Sequence, residues 1–300
     1  MKKKTYLFAL MAMALTLGSC SDNENGIGGE TSKYITVSTS IGNMTRVATD
    51  EKGGQTFEEG DEISVYAWTG DATVAPETRE RVVNNAINKL TNGSWVSTPQ
   101  MLWKNNRDKH YFIGVYPISA ISDLSAGEYT FDETKQVESD LLVAVNKDGL
   151  SYNVDEQQPV PLTFTHVMAK LVVNLTYKNQ WGGIPTVEKV VVGNAAKEAT
   201  INYLTKVVTP SATAKEDFSL PEITENTKYV SVIIPQEDVT QLTIVIGGKN
   251  FVYDNGTPFK LESGKITTIN LEVGRDEIKL GDVKITDWED GSTFSGEALN

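Results

Sequence analysis

Apolar and polar residues alternate along most of the chain beyond residue 33, with the period of two that is typical of β-strands. The clearest example runs from His166 to Tyr177, where one face carries only apolar or aromatic side chains and the other is mostly polar. Because one face is apolar, this segment is predicted to be a half-buried strand.

Similar runs recur along the sequence. They are YITVSTSI from Tyr34, EISVYAW from Glu62, KHYFIGVYP from Lys109, DLLVAVN from Asp140, VEKVVVG from Val187, YVSVIIP from Tyr229, LTIVIGG from Leu242 and ITTINLEV from Ile266. Residues that favour tight turns separate them, and we expect turns at Asn92-Gly93, Lys147-Asp148-Gly149, Asn255-Gly256 and Ser263-Gly264. One stretch, Glu77 to Leu90, is open to interpretation as a strand or a short helix.

Many short strands with Gly-containing turns and no long helix predict an all-β protein built of β-sandwiches. The pattern is interrupted at SYNVDEQQPVP (Ser151 to Pro161), which holds two prolines. A division there gives an N-terminal sandwich at residues 33–158 and a C-terminal sandwich at 159–300, each of ordinary domain size.

The N-terminus has the three parts of a secretory signal. Three lysines follow Met1, an apolar run follows them, and the small residues Gly18 and Ser19 precede Cys20. The run is about a dozen residues, too short for a membrane-spanning helix of about 20. We therefore assign residues 1–19 to a signal peptide and the polar residues 20–32 to a flexible linker.

Cys20 is the single cysteine of the chain. Leu17-Gly18-Ser19-Cys20 resembles the bacterial lipobox, in which the cysteine sulfur carries a lipid, and acyl chains on Cys20 would hold the protein on a membrane. The acidic residues that follow resemble the surface-export signal of outer-membrane lipoproteins. The alternative is cleavage at another small residue, which leaves a free thiol.

Net charge argues against one class of function, nucleic-acid binding, and the cysteine count argues against a disulfide-stabilised fold. The formal charge is −13, and it becomes −16 when the three lysines leave with the signal peptide. Such acidity argues against nucleic-acid binding, which needs basic patches. With one cysteine there is no intramolecular disulfide, so the core alone must hold the fold.

Catalytic and metal-binding motifs are missing from the sequence. His110 and His166 lie inside strand-like runs, and no HExxH, cysteine cluster, GxSxG or phosphate-binding glycine loop accompanies them. We expect structural histidines, no cofactor and no enzyme activity. Trp68, Trp95 and Trp103 are predicted to pack in the core, whereas Trp181 in NQWGGIP is the candidate for a glycan contact.

Five segments together resemble the fimbrillin superfamily of type V pilins. They are MTRVATDEKGGQTFEEGDEISVYAW (Met44 to Trp68), GSWVSTPQMLWKNNRDKHYFIGVYP (Gly93 to Pro117), VPLTFTHVMAKLVVNL (Val160 to Leu175), LESGKITTINLEV (Leu261 to Val273) and the closing ITDWEDGSTFSGEAL. None of these segments is specific alone, but their order and spacing cover nearly the whole mature chain.

The resemblance implies a lipoprotein precursor with two tandem transthyretin-like Greek-key β-sandwiches, exported to the outer membrane and assembled into a surface fimbria. It also implies proteolysis between Arg46 and Val47, loss of the N-terminal strand, and replacement of that strand by one from another fimbrial subunit. A further partner would be a ligand on a host or bacterial surface. On the residues alone, an ordinary exposed loop arginine is the better explanation of Arg46, and only the resemblance raises cleavage to an equal alternative.

The C-terminus departs from what a stalk subunit needs. Beyond Val283 and Ile285 the sequence becomes polar and contains glycine, with no long alternating segment to donate. We therefore expect a tip or accessory subunit that accepts a strand, or an uncleaved anchor. The alternative function is a surface lipoprotein that binds glycans and does not polymerise.

Overall fold

The computed structural model describes residues 33–42, 57–153 and 158–288. Within these ranges the chain is almost entirely β-structure with no α-helix, which confirms the all-β prediction. The strands are β1 (Val37–Ile41), β2 (Glu62–Thr69), β3 (Arg81–Thr91), β4 (Ser94–Thr98), β5 (His110–Tyr116), β6 (Gly127–Thr130), β7 (Leu142–Leu150), β8 (Val160–His166), β9 (Ala169–Tyr177), β10 (Val187–Ala196), β11 (Glu198–Asn202), β12 (Val207–Pro210), β13 (Lys215–Ser219), β14 (Glu222–Thr224), β15 (Lys228–Ile233), β16 (Gln236–Ile246), β17 (Lys249–Leu261), β18 (Lys265–Val273) and β19 (Ile278–Asp287).

Four sheets are present in the described part of the chain. The first sheet has seven strands in the order β1-β8-β7-β5-β2-β3-β4. The second sheet has five, β14-β15-β9-β18-β19, and the third has four, β13-β10-β16-β17. A small sheet, β12-β11-β6, pairs a strand from the first half of the chain with two from the second. Most ladders are antiparallel, and the exceptions are β1 with β8 and β18 with β9.

The chain passes from the first sheet to the second between His166, where β8 ends, and Ala169, where β9 begins. β8 pairs with β7 and β1, so it belongs to the same sheet as the strands before it. The division into sandwiches at 33–158 and 159–300, and their Greek-key arrangement, stay predictions.

The central strands of the first sheet are buried on both faces. One face supplies Tyr66, Trp68 and Val115 to the large core that is shared with the other sheets. The opposite face supplies Val65, Phe112, Phe164 and their neighbours to a separate cluster, here called the β1 core. Successive residues of β2 and β5 therefore enter different cores, because side chains alternate across a strand. This explains why EISVYAW is apolar almost throughout, as strands buried on both faces are.

Two of the four expected turns are wrong. Asn92-Gly93 and Ser263-Gly264 do lie between strands, but Lys147-Asp148-Gly149 lies inside β7 and Asn255-Gly256 inside β17. Gly149 has φ +66° and Gly256 has φ +68°, and the pairing register shifts near each of them. These glycines therefore accommodate irregularities within long strands, the other common use of positive φ in a sheet.

The stretch from Glu77 to Leu90 contains both of the structures considered for it. A single 3₁₀ turn covers Thr78–Glu80, and β3 begins at the next residue. The turn is capped at its N-terminal end, where the Glu77 N–H donates to Oε2 of Glu80 at 3.1 Å.

Candidate functional site: the groove that holds β1

The strand predicted from YITVSTSI lies at one edge of the first sheet. β1 runs parallel to β8, with Val37 opposite Val160 and Ile41 opposite Phe164. The Val160 N–H donates to the Thr36 carbonyl at 2.8 Å, and the Gly42 N–H donates to the Phe164 carbonyl at 2.8 Å. These bonds show that the pairing extends one residue beyond β1 at each end.

The residues just before β1 pair on their other side with the segment that follows β4. The Ile35 N–H donates to the Met101 carbonyl at 2.9 Å, and the Trp103 N–H donates to the Lys33 carbonyl at 3.1 Å. Tyr34 and Leu102 form an antiparallel bridge between them. The start of this segment is thus held from two sides, while β1 itself has β8 as its ladder partner.

Alternate side chains of the segment point into the β1 core. Ile35 is 2 % exposed, Val37 6 % and Ile41 7 %, whereas Thr36, Ser38 and Ser40 are exposed. The buried side chains pack in the cluster that contains Met101, Phe112, Leu162 and Phe164. We call the surface that receives Ile35, Val37, Thr39 and Ile41 the β1 groove.

The third inward side chain is polar and has a specific partner. Nε1 of Trp95, on β4, donates a hydrogen bond to Oγ1 of Thr39 at 3.0 Å. Phe57 packs edge-on against Trp95, Tyr116 and Phe164, with ring centroids 5.1–5.4 Å apart. Beside β1 a cleft of about 670 Å³ is lined by Phe57, Trp95, Leu90 and Pro159, together with residues of β1 itself. Trp95 was expected in a core, and its hydrogen bond was not foreseeable from sequence.

The predicted processing positions fall outside the described residues. Cys20 lies in residues 1–32, and Arg46 and Val47 lie in residues 43–56, which begin directly after Gly42 and end before Phe57. The lipid attachment at Cys20 and the cleavage at Arg46 therefore stay predictions. What the structure describes is the strand that such a cleavage would detach from the rest of the chain.

Both histidines have partners within the fold. The Lys104 N–H donates to Nε2 of His110 at 3.1 Å, so Nδ1 of His110 donates to the Asp108 carbonyl at 3.1 Å. Burial lowers the pKa of His110, in agreement with a neutral ring held by backbone bonds. Nδ1 of His166 lies 2.8 Å from Oδ1 of Asp140, and its ring stacks on Trp288 at 4.0 Å.

Trp181 is engaged on several sides. Its Nε1 donates to the Val273 carbonyl at 3.0 Å, and Phe251 packs at 5.7 Å between ring centroids. The Arg275 guanidinium lies 5.7 Å from the centre of the indole ring. These contacts give the side chain a structural role, and a glycan contact at Trp181 stays a prediction.

Neither a metal site nor a membrane-spanning helix is found in the part of the chain that the structure describes. No three His, Cys, Asp or Glu side chains in these ranges group closely enough to hold a metal ion. Among the described residues, no helix is long and apolar enough to cross a bilayer.

Comparison with known proteins agrees with this architecture. A protein of Bacteroides uniformis named "Putative fimbrium subunit Fim1C" is 25% identical over 315 residues, which cover 97% of each chain. The crystal structure of a "putative cell adhesion protein" from Bacteroides ovatus superposes with a TM-score of 0.64 at 18% identity, over 85% of this chain and 98% of the other. A second such protein, from Bacteroides uniformis, gives 0.63 at 19% identity over the same shares.

The two structural likenesses establish a shared fold. The model of the fimbrillin-like family matches residues 45–288, well over half of the chain. This match begins after β1 and includes β2 to β19 and the cleavage position predicted at Arg46. The chain therefore belongs to the fimbrillin-like family.

Proposed function

We propose that this protein is a non-catalytic subunit of a surface fimbria that mediates adhesion, and that β1 is a removable strand. In this proposal a protease cuts after Arg46, the segment that contains β1 leaves, and a strand donated by another fimbrial subunit takes its place. Membership of the fimbrillin-like family and the likeness to a fimbrium subunit support the fimbrial role.

The observation that carries the proposal is the way β1 is held. Among the strands that the structure describes, β1 lies at the edge of its sheet, contributes alternate side chains to a core and pairs in a ladder with β8 alone. An edge strand can leave without parting two other strands from each other. Its removal would expose the apolar side chains of the β1 core, including Phe57, Phe112 and Phe164. An apolar surface beside an unpaired edge is a template for another strand.

The burial of side chains in the β1 groove gives the approximate free energy that holds the strand in place. Three apolar side chains, Ile35, Val37 and Ile41, are almost fully buried. At about 1.5–3 kcal/mol each they contribute about 5–9 kcal/mol before the cost of ordering the strand. A loss of that size would keep an empty groove rare, so the resident strand protects the precursor until a donor arrives.

The proposed lipid on Cys20 gives the cleavage a second consequence. The lipid would anchor the precursor at the outer membrane, and a cut after Arg46 would separate the lipid from the folded body. One proteolytic step would then both open the groove and free the subunit from its anchor.

We further propose a tip or accessory position rather than a stalk position. The C-terminal strand β19 ends at Asp287 and is mostly exposed on both faces. A stalk subunit must both accept a strand and donate one that fits the next groove. The polar character of the sequence around and after β19 supports a subunit that mainly accepts.

Trypsin digestion of the purified precursor tests the proposal. We expect a discrete cut after Arg46, after which a labelled peptide with the sequence of residues 33–42 enters the folded body. Arg46→Gln should abolish both events, whereas Arg79→Gln, at an arginine whose side chain is 80% exposed, should leave them unchanged. An uncut chain, or a cut chain that takes up no peptide, would contradict strand replacement. Retention of glycan by an intact monomer would favour the non-polymerising lipoprotein instead.

A further inference from the structure

The β1 groove has four inward positions that differ in chemistry. Positions one, two and four hold Ile35, Val37 and Ile41, and position three holds Thr39. Thr39 is a β-branched residue of nearly the same shape as valine, so its methyl group packs while its hydroxyl stays available. The resident strand therefore shows which side chains the groove accepts: apolar, apolar, hydroxyl and apolar, at every second residue.

Position three is polar because of Trp95. The indole ring is half-buried, with Phe57 packed against it at 5.3 Å, and its N–H points to Oγ1 of Thr39 at 3.0 Å. A strand with valine or leucine at this position would cover the indole N–H and offer it no acceptor. Leaving a partly buried donor without a partner costs the hydrogen bond and part of the desolvation of the donor. The groove therefore discriminates against a fully apolar donor.

The last strand that the structure describes, β19, does not carry the required pattern. Its two faces read Ile278, Leu280, Asp282, Lys284, Thr286 and Lys279, Gly281, Val283, Ile285, Asp287. In the first series Asp282 offers an acceptor at position three, but Lys284 brings an ammonium group to position four, where Ile41 is buried. The second series has a lysine and a glycine at positions one and two. Neither series fits when it is read in reverse.

We infer that the β1 groove selects a strand from a different subunit, one that carries serine or threonine at the third of four alternating inward positions, and that Trp95 reads this hydroxyl. The inference rests on the strand replacement proposed above and names the partner's chemistry. β19 of a second copy of this chain does not match this pattern. The protein would then cap or branch an assembly instead of forming a homopolymer.

The test is equilibrium exchange of labelled peptides into the trypsin-cut protein, measured by fluorescence anisotropy. The parent peptide has the sequence of residues 33–42, and its variants carry Thr39→Ser, Thr39→Val or Ser38→Val. We expect the Thr39→Val peptide to bind roughly ten- to one-hundredfold more weakly than the parent, because it leaves the indole N–H unpaired. The Thr39→Ser peptide should stay within about fivefold of the parent, since it keeps the hydroxyl and loses one methyl group.

Two controls separate recognition of the hydroxyl from strand propensity and from misfolding. The Ser38→Val peptide gains the same β-branched residue on the exposed face and should bind at least as well as the parent. In a Trp95→Phe protein that keeps the wild-type circular dichroism spectrum, the Thr39→Val peptide should bind within about twofold of the parent, because no donor remains to be satisfied.

Selectivity fails if the parent and Thr39→Val peptides bind equally, if Trp95→Phe still discriminates, or if a peptide of residues 277–288 binds as well as the parent. Homopolymers of the cut protein would overturn the inference in the same way. These outcomes leave strand replacement intact, because a peptide still enters. Failure of every peptide to enter the cut chain overturns strand replacement and, with it, this inference.

Discussion

Replacing Ile35 with alanine tests whether β1 opens independently of the rest of the fold. Ile35 is 2 % exposed, and its N–H is bonded to Met101 at the point where the segment is held from both sides. Truncation of a buried isoleucine to alanine costs about 2–4 kcal/mol through lost burial and the cavity left behind. The outward neighbour Thr36 is exposed, so Thr36→Ala is a matched control on the same strand.

A removable strand and an integral strand respond differently to this loss. If β1 detaches by local opening, the loss reduces the free energy of that opening, and the amides of β1 should exchange about 30- to 700-fold faster with solvent deuterium. The amides of β16, in the third sheet, should keep their wild-type protection. If β1 opens only when the whole protein unfolds, every strongly protected strand should lose protection together.

Hydrogen exchange followed by mass spectrometry on the full chain measures both regions in one experiment. The expected result for Ile35→Ala is faster exchange confined to residues 33–42, to β8 and to the segment around Met101. Thr36→Ala should give the wild-type pattern. Unchanged protection of β1 in Ile35→Ala, or an equal loss of protection in β1 and β16, would refute the reasoning that β1 is held by its own side chains as a separable unit.

Three further substitutions probe packing and charge. Gly114→Ala should lower the free energy of unfolding by about 1–3 kcal/mol in urea titration, because the added Cβ would lie 2.7 Å from Cζ of Phe164; an unchanged midpoint would contradict this close approach. Trp181→Phe should lower the free energy of unfolding by about 1 kcal/mol in the same assay, because the hydrogen bond to Val273 is lost. Trp181→Leu should lower it further, because leucine also loses the ring contact with Phe251, and an equal loss in both variants would contradict this reasoning. Burial lowers the pKa of Lys170 to about 8, so between pH 8 and 9.5 the unfolded chain binds more protons than the folded one. The free energy of unfolding should therefore rise with pH, by on the order of 3 kcal/mol once the pH nears the unfolded pKa. Lys170→Met should flatten this slope, whereas Lys260→Met, at an exposed position, should retain it.

Local pattern identified the strands because burial imposes a period of two on any sheet with an apolar face. The run from Tyr34 alternates in the sequence as it does in the structure, with Ile35, Val37 and Ile41 inward. The same argument located most of the other strands to within a few residues. It misread Gly149 and Gly256 as turns, because a glycine with positive φ serves equally well in a hairpin and in a bulge within a strand.

The candidate site was only partly predictable. The sequence indicated which strand we propose to be removable, but this rested on resemblance to a family rather than on the residues of the strand. The groove itself is made by side chains from distant parts of the chain, among them Phe57, Trp95 and Phe164. No pattern of neighbouring residues shows that Trp95 and Thr39 share a hydrogen bond, because strand pairing between remote segments sets their separation.

The sequence by itself determined the all-β class, the positions of most strands, the inward face of β1 and the acidic surface, since each follows from local alternation or from composition. The tertiary structure decided that β1 runs parallel to β8, that the central strands of the first sheet are buried on both faces, and that Trp95 donates a hydrogen bond to Thr39. The physical reason is that periodicity records which side of a strand is buried, whereas the identity of the strand beside it depends on contacts between residues far apart in the chain.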